Sequence, residues 1–464
     1  MKSYNRSVVY FICMVSAMGG LLFGYDWVVI GGAKPFYEVF FDIAGNPFFQ
    51  GVAMSTALVG CLIGAMVAGA LSDKYGRKPL LMVSAVLFTV SAIATGYFSD
   101  FMWFNVARFI GGVGIGVAST LSPIYIAEIS PTEVRGRLVS LNQMTIVIGI
   151  LAAQVVNWLL AEPIAEGATA TDLLNSWNGQ MGWRYMFWAE GLPALAFLIL
   201  VFFIPESPRW QAVNDREVEA VKTLTRVGGE DYALAQIASM RTLADEDKAA
   251  DKGGLRTLFT HRYSSILVLG VVLAVFQQWC GTNVIFNYAQ EIFSQAGYSV
   301  GDVLFNIVIT GIANVIFTIL ALQTVDKVGR RTLMLAGASG LALIYAVLGT
   351  CYYLGVSGFF MVVLVVAAIS CYAMTLGPVT WVVLSEIFPN KIRGVAVSTC
   401  TFALWTGCTT LTFSFPSLNA ALGGGGTFWI YAAICICGTA FFWAKLPETK
   451  GKSREEIEKD LVRK

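Results

Sequence analysis

Twelve apolar runs, each near the length that crosses a bilayer, leave this chain very few ways to fold. A helix needs about 20 apolar residues to span the hydrocarbon core. Runs of that kind lie near 8–31, 51–71, 80–98, 101–122, 138–160 and 184–204, and again near 264–292, 303–323, 332–354, 358–384, 394–416 and 426–445. In lipid each run must satisfy its own backbone hydrogen bonds, and a helix does so. Composition agrees, because only 13% of the 464 residues are charged against roughly a quarter in soluble domains. The first run follows only Lys2 and Arg6, outlasts a signal peptide and lacks a small-x-small cleavage site. It reads as a retained span. The nine cysteines fall in apolar runs with no CxxC pair, so free thiols packed as small hydrophobes are expected.

The runs divide into two sets of six at a long charged interruption. The expected organisation is a six-helix half over 1–205, a cytoplasmic helical linker over 206–262, and a second half over 263–464 with a short tail. The halves repeat one another. "SDKYGRKPL" (72–80) answers "VDKVGRRTL" (325–333), "YIAEISPTEVRGRLVS" (125–140) answers "VLSEIFPNKIRGVAVS" (383–398), and "PESPR" (205–209) answers "PETKG" (447–451). Each pair occupies the same place in its half. Parallel repetition of six-span units is the architecture of major facilitator transporters, which bind substrate between halves near the midplane. The expected fold class is therefore all-α, twelve transmembrane helices in the major facilitator arrangement. Lys and Arg gather in "SDKYGRKP", "SPTEVRGR", "VDKVGRRT", "FPNKIRG", the linker and both termini, while the opposite connections carry Lys34 but mostly acids or nothing, as in "AEPIAEGATATD" (161–172). By the positive-inside rule both termini are cytoplasmic in a cell (inner) membrane.

At this point the chain resembles the sugar porters of the major facilitator superfamily, over about residues 8 to 451. The motifs are "GYD" (24–26), "DKYGRK", "ARFIGGVGIG" (107–116), "GWRYMF" (182–187), "PESPRW", "QQWCGTN" (277–283), "GPVTW" (377–381) and "PETKG". Within that family it is more similar to bacterial proton-coupled symporters of the D-xylose type than to animal facilitative glucose carriers, which typically have a neutral residue at the place of Asp26. The resemblance implies proton-coupled symport of a neutral monosaccharide by alternating access, with no cofactor or metal. It implies the sugar, the proton and the lipid bilayer as partners, no nucleic acid, and a monomer. An uncoupled sugar facilitator, or a sugar sensor, is the alternative.

Charge inside an apolar run is costly and marks ion paths or helix locks. At 1.5 Å per residue, Asp26 lies roughly 8 Å, Arg108 roughly 10 Å and Glu190 roughly 9 Å inside the outer ends of their runs. Two acids and one base thus share a depth in one half. A static pair locking two helices is one reading. The resemblance implies the other, with Asp26 as proton acceptor, Arg108 as its partner, and Glu190 as either a supporting partner or a coupling residue.

Amide and indole groups make up most of what remains at midplane depth: Gln143, Gln277, Gln278, Asn283, Asn314, Trp381 and Trp405. Amides both donate and accept, as sugar hydroxyls do, and indole offers a flat face to a sugar's C–H groups. Each alone is more often a helix–helix hydrogen bond. Their match to sugar-porter positions makes them, with Phe23 and Gly377, the expected substrate site. Gln278 and Asn283 would lie about 140° apart on an ideal helix, so the seventh span must loosen, and Gly281 is the expected place. "LGPV", with Gly377 and Pro378, should bend the tenth. Asn287, Tyr288 and Pro378 are the expected gating residues. Leu404 replaces a frequent Gln or Asn of the relatives, Asn287 a frequent aromatic and Thr282 a usual Ile, which leaves the particular sugar open.

The cytoplasmic connections repeat acids and bases in register. Asp73, Arg77, Glu128, Arg135, Arg137, Glu206 and Arg209 in the first half are answered by Asp326, Arg330, Glu386, Arg393 and Glu448 in the second. Such sets look like latches closing the cytoplasmic side, each pair contributing about 0–1 kcal/mol. The single histidine, His261, lies outside the apolar runs, which excludes histidine triads within the membrane, so no enzyme is expected. "GGVGIG" lies inside a span and reads as close helix packing, and "GGGG" (423–426) as a flexible outer connection.

Overall fold

The computed structural model describes residues 4–164, 168–249, 258–295, 297, 300–389 and 392–450, without the side chains of 241–249, 261, 262, 300, 301 and 326. Its regular structure there is helical throughout. Among the described residues the helices long and apolar enough to cross a membrane number 11, one of which is two spans in series. Arg393–Lys445 runs for 53 residues, about 80 Å at the usual rise, more than twice the hydrocarbon core. It breaks at Gly423, whose φ of 66° is a left-handed value that only glycine adopts freely. The expected loose "GGGG" connection is thus a single-residue turn with helix on both sides.

Twelve spans result. The first six are Arg6–Phe40, Pro47–Tyr75, Arg77–Tyr97, Phe101–Ile129, Arg135–Leu160 and Asn178–Phe203. The next four are Tyr263–Gln295, Asp302–Val325, Arg330–Tyr353 and Phe359–Ile387, and the last two lie on either side of Gly423. The first span differs from its sequence-based bounds. Its helix continues past residue 31 through Lys34, Pro35 and Glu38 to Phe40, because those charges find partners described below.

Contacts gather the chain into two compact units, each described by itself. One comprises 1–27, 59–150 and 187–252. "GGVGIG" here is a two-sided seam of the fourth span. A Cβ on Gly116 would come within 2.2 Å of the Cys61 carbonyl oxygen of the second span, and one on Gly111 within 2.3 Å of Ser91 Oγ of the third. Only small residues permit such approach. Gly24 is equally tight, 1.9 Å from the Ile146 carbonyl oxygen of the fifth span, and this seats the neighbouring Asp26. The linker folds as helices Pro208–Val213, Glu217–Gly228 and Glu230–Ala249 around Ala220, Leu224, Ala233 and Ile237.

The other unit comprises 28–58, 151–186 and 253–464, so the outer parts of spans one, two, five and six pack with the second half. Phe48 lies edge-on to Phe413 at 5.7 Å and Trp158 stands 5.5 Å from Phe305. The seventh span is interrupted between Trp279 and Thr282, with Gly281 at φ 88°, where the sequence placed the break. The tenth is interrupted at Thr375 (φ −125°, ψ −89°). Gly377 and Pro378 therefore sit in the first turn of Leu376–Ile387, where proline is tolerated.

Candidate functional site

The first unit brings Asp26 and Arg108 together from spans one and four. Arg108 Nη1 donates to Asp26 Oδ1, and Nη2 donates to the Asp26 backbone carbonyl at 3.3 Å. Both side chains are 2% exposed. Asp26 Oδ2 accepts no hydrogen bond, and Glu190 of the sixth span lies buried beside it, within electrostatic reach of Asp26 and Arg108. The Phe187 ring, 5.5 Å from the guanidinium, adds an apolar wall. With both carboxylates ionised the trio carries one uncompensated negative charge in a dry site, where Coulomb energies are large. The first and sixth helices extend further outward than the runs counted from sequence, so the simple depths shift, but the three groups still meet. Phe23 stands half-buried against Trp27 with centroids 5.6 Å apart, and Gln143 is half-buried on the fifth span.

In the second unit the Gly281 break lets Asn283 Nδ2 donate to Gln278 Oε1. Gln278 Nε2 donates to Gln277 Oε1 at 3.2 Å, and Gln277 Nε2 to the Gly377 carbonyl at 3.0 Å. This amide chain links the seventh and tenth spans beside both of their interruptions. Asn314 and Trp405 are buried on spans eight and eleven, whereas Trp381 is 41% exposed. Leu404 is buried. Tyr288, at an irregular backbone position (φ −124°, ψ 23°), donates its hydroxyl to the Thr412 carbonyl at 2.6 Å. Asn287 is buried, and its carbonyl oxygen lies 2.9 Å from where a Gly31 Cβ would stand.

Sequence reasoning missed a second trio, buried at Lys34 and Glu38 and partly exposed at Glu291. Lys34, 2% exposed, pairs with Glu38 at 2.8 Å and with Glu291 of the seventh span, and its ammonium lies 5.4 Å from the Tyr288 ring centroid. Gln50 Nε2 donates to Glu38 Oε2 at 3.1 Å. The available signal was the Lys34/Glu38 spacing of four, which suits a continuing helix.

The charges expected on the cytoplasmic side form the same motif twice. Arg77 bridges to Glu128 through Nε and Nη2 at 3.1 Å, Ser207 Oγ donates to Glu128 at 2.5 Å, and Glu206 accepts the backbone N–H of Arg77 at 2.9 Å. In the second half Arg330 reaches Glu386 at 3.1 Å, Thr449 Oγ1 donates to Glu386 at 2.6 Å, and Glu448 accepts the backbone N–H of Arg330 at 3.0 Å. Gly76 and Gly329 precede those helices with φ of 100° and 103°, and a Cβ at either would strike the capping carboxylate. The copies differ electrostatically. Burial pushes the Glu206 carboxyl above the usual carboxylate value, only partly opposed by backbone N–H groups. At Glu448 burial acts the same way, but N–H donors from Lys450, Arg330 and Arg331 outweigh it and hold the carboxyl below that value. Asp73, with its side chain 77% exposed, pairs with Arg77 at 3.3 Å. Arg135 donates to the Ser130 carbonyl at 3.5 Å and Arg393 to the Phe388 carbonyl at 3.2 Å, while Arg137 and Arg209 are exposed. The side chains of Asp326 and His261 lie outside the described residues.

A bundle of twelve spans that buries ionisable trios and an amide chain defines a transporter of small polar solutes. The family model described as "Sugar (and other) transporter" matches residues 12–461. The D-xylose-proton symporter of Escherichia coli is 36% identical over 98% of this chain and 96% of its own. The arabinose-proton symporter of Bacillus subtilis is 36% identical over 99% of this chain and 96% of its own. The inward-open xylose transporter XylE from E. coli superposes with a TM-score of 0.84 at 35% identity, covering 98% of this chain and 100% of that one. The chain belongs to the sugar transporter family, with the major facilitator fold, and is a transporter rather than an enzyme.

Proposed function

We propose that this protein moves a neutral monosaccharide together with a proton into the cell by alternating access. The observation that carries the coupling is the buried trio of two carboxylates and one guanidinium. A proton on Asp26 or Glu190 neutralises its excess negative charge. Arg108 favours ionised Asp26 while they touch; separating them leaves desolvation, which favours the protonated acid. A gradient drives the cycle only if proton affinity differs between the two states, and a pair that closes and opens supplies that difference. Glu190 takes the role of neighbour that raises the proton's value to the site or of a second carrier.

The sugar is met by Gln277, Gln278, Asn283, Asn314, Trp381 and Trp405, with Phe23, Gln143 and Gly377 contributing. Uncharged amides and indoles suit a polyhydroxylated, uncharged substrate, and the relatives' names make xylose and arabinose the first sugars to test. Asn287, Tyr288 and Pro378 gate it, joined by the Lys34 trio on the outer side. The paired carboxylate–arginine motifs latch the cytoplasmic side, and the units of transport are the halves 1–205 and 263–464 joined by 206–262. The protein works as a monomer in the inner membrane with both termini cytoplasmic.

Purified protein in proteoliposomes tests this reading. With an imposed inward proton gradient it should concentrate labelled xylose or a related aldose, and a protonophore should abolish the accumulation. Equilibration without accumulation at every imposed pH difference would make it a facilitator and Asp26 a structural group.

A further inference from the structure

We infer that Gln154 forms a hydroxyl-binding site where the outer half of span five meets span eight, which a sugar occupies before the outer side closes. The inference rests on the sugar-transport reading and adds a subsite to it. Among the described residues Gln154, 2% exposed, has no hydrogen-bond partner for either Nε2 or Oε1. Asn157, 1% exposed, donates Nδ2 to the Val29 carbonyl at 3.1 Å and leaves Oδ1 unpaired; Asn306, 8% exposed, leaves Nδ2 unpaired.

Trp158 stands 5.5 Å from Phe305, and Gln154 Oε1 lies where a Cβ on Gly311 would be, 1.8 Å away. Gln154 of span five therefore faces span eight, with one donor and one acceptor left over. Asn157 turns instead to Gly32 of span one, and Asn306 lies about 140° around the continuous eighth helix from Gly311. Leucine or methionine would fill a closed seam without stranding an amide, since an unpaired buried amide is destabilising and an apolar replacement of like shape is not. The closed packing therefore gives no reason for an amide at Gln154. A ligand hydroxyl, both donor and acceptor, uses both of its atoms. Gly311 leaves Oε1 no room for such a ligand here, so it binds when the seam is apart and leaves before it shuts.

The consequence is asymmetric. Gln154→Leu should raise the half-saturating sugar concentration about tenfold for uptake measured from the outer face in right-side-out vesicles, the scale of one lost hydrogen-bonding group. From the inner face, in inside-out vesicles, it should leave half-saturation unchanged. Gln154→Asn should recover part of the loss, and Gln154→Met should show the same asymmetry as Gln154→Leu, which keeps the inference testable if one variant fails to fold. A thermal midpoint that rises in Gln154→Leu, with half-saturation unchanged from both faces, would overturn the inference, as would an equal rise from both faces. Wild-type vesicles that transport no sugar from either face would instead overturn the sugar-transport reading beneath it.

Discussion

The first span carries members of two trios, each of two carboxylates and one base, and they are built differently. Asp26, Glu190 and Arg108 come from spans one, six and four and are all buried. Glu38, Glu291 and Lys34 join span one to span seven, with Glu291 partly exposed. Arg108 grips both the carboxylate and the backbone carbonyl of Asp26, whereas Lys34 is held by side chains alone. Guanidinium is a planar, weakly hydrated fork of donors, whereas ammonium is a compact, strongly hydrated charge on a flexible stem. The contrast teaches a division of labour along one helix. The arginine trio suits a proton that binds and leaves as the pair opens and closes, and the lysine trio suits a clasp that forms when the outer side shuts.

The sharpest way to break that division is Asp26→Asn, nearly isosteric but unable to ionise. It should bind and exchange sugar yet fail entirely to accumulate it under a proton gradient; accumulation like wild type would move the proton to Glu190. Next in size is Lys34→Met, which leaves buried Glu38 and partly buried Glu291 without their cation. Breaking such a pair costs about 3–5 kcal/mol, so the closed outer side should lose population, seen as faster labelling of a cysteine placed on the outer seam. Exchanging the charges, with Lys34→Glu and Glu291→Lys together, should restore much of it; no change in labelling would make the trio inert. Gln278→Ala breaks the amide chain and should weaken sugar binding by about 1–3 kcal/mol in calorimetry of folded protein, with unchanged affinity moving the site elsewhere.

The smallest effect separates the two carboxylate–arginine motifs. Glu206 is held above the usual carboxylate value, so the native state keeps its proton more tightly than the unfolded chain, and its contribution declines as pH rises through that raised value. Glu448 is held below it, so its contribution is present above the usual value and fades as pH falls into the acid range. Glu206→Gln should gain thermal stability relative to wild type as pH rises from about 4 to 7, and Glu448→Gln should lose it at about pH 7. Parallel pH profiles for the two variants would show that the copies are electrostatically alike.

Most of this fold is legible from run length and repetition, because lipid leaves an apolar run no alternative to helix. Helix ends are less so. The first span passes residue 31 because Lys34 finds Glu291, 257 residues away, and no local pattern announces a partner so distant. Asp26 and Arg108 could be matched across 82 residues only by counting depth, and the helical extensions show how coarse that count is. The kink at Gly281 followed from angle arithmetic on Gln278 and Asn283. The tenth span yielded instead at Thr375, the residue before the helix that holds Gly377 and Pro378, since proline fits a first turn. Gln154 carried no signal, because an amide in an apolar run looks the same whether or not it is paired.

The central claim is that one trio carries the proton and the other holds the gate. Sugar-driven proton movement, followed with a pH-sensitive dye outside proteoliposomes, tests it on both at once. Adding sugar should alkalinise the medium with wild type, not with Asp26→Asn, and still with Lys34→Met at a reduced rate but the same number of protons per sugar. Alkalinisation by Asp26→Asn, or a changed proton-to-sugar ratio in Lys34→Met, would contradict the account.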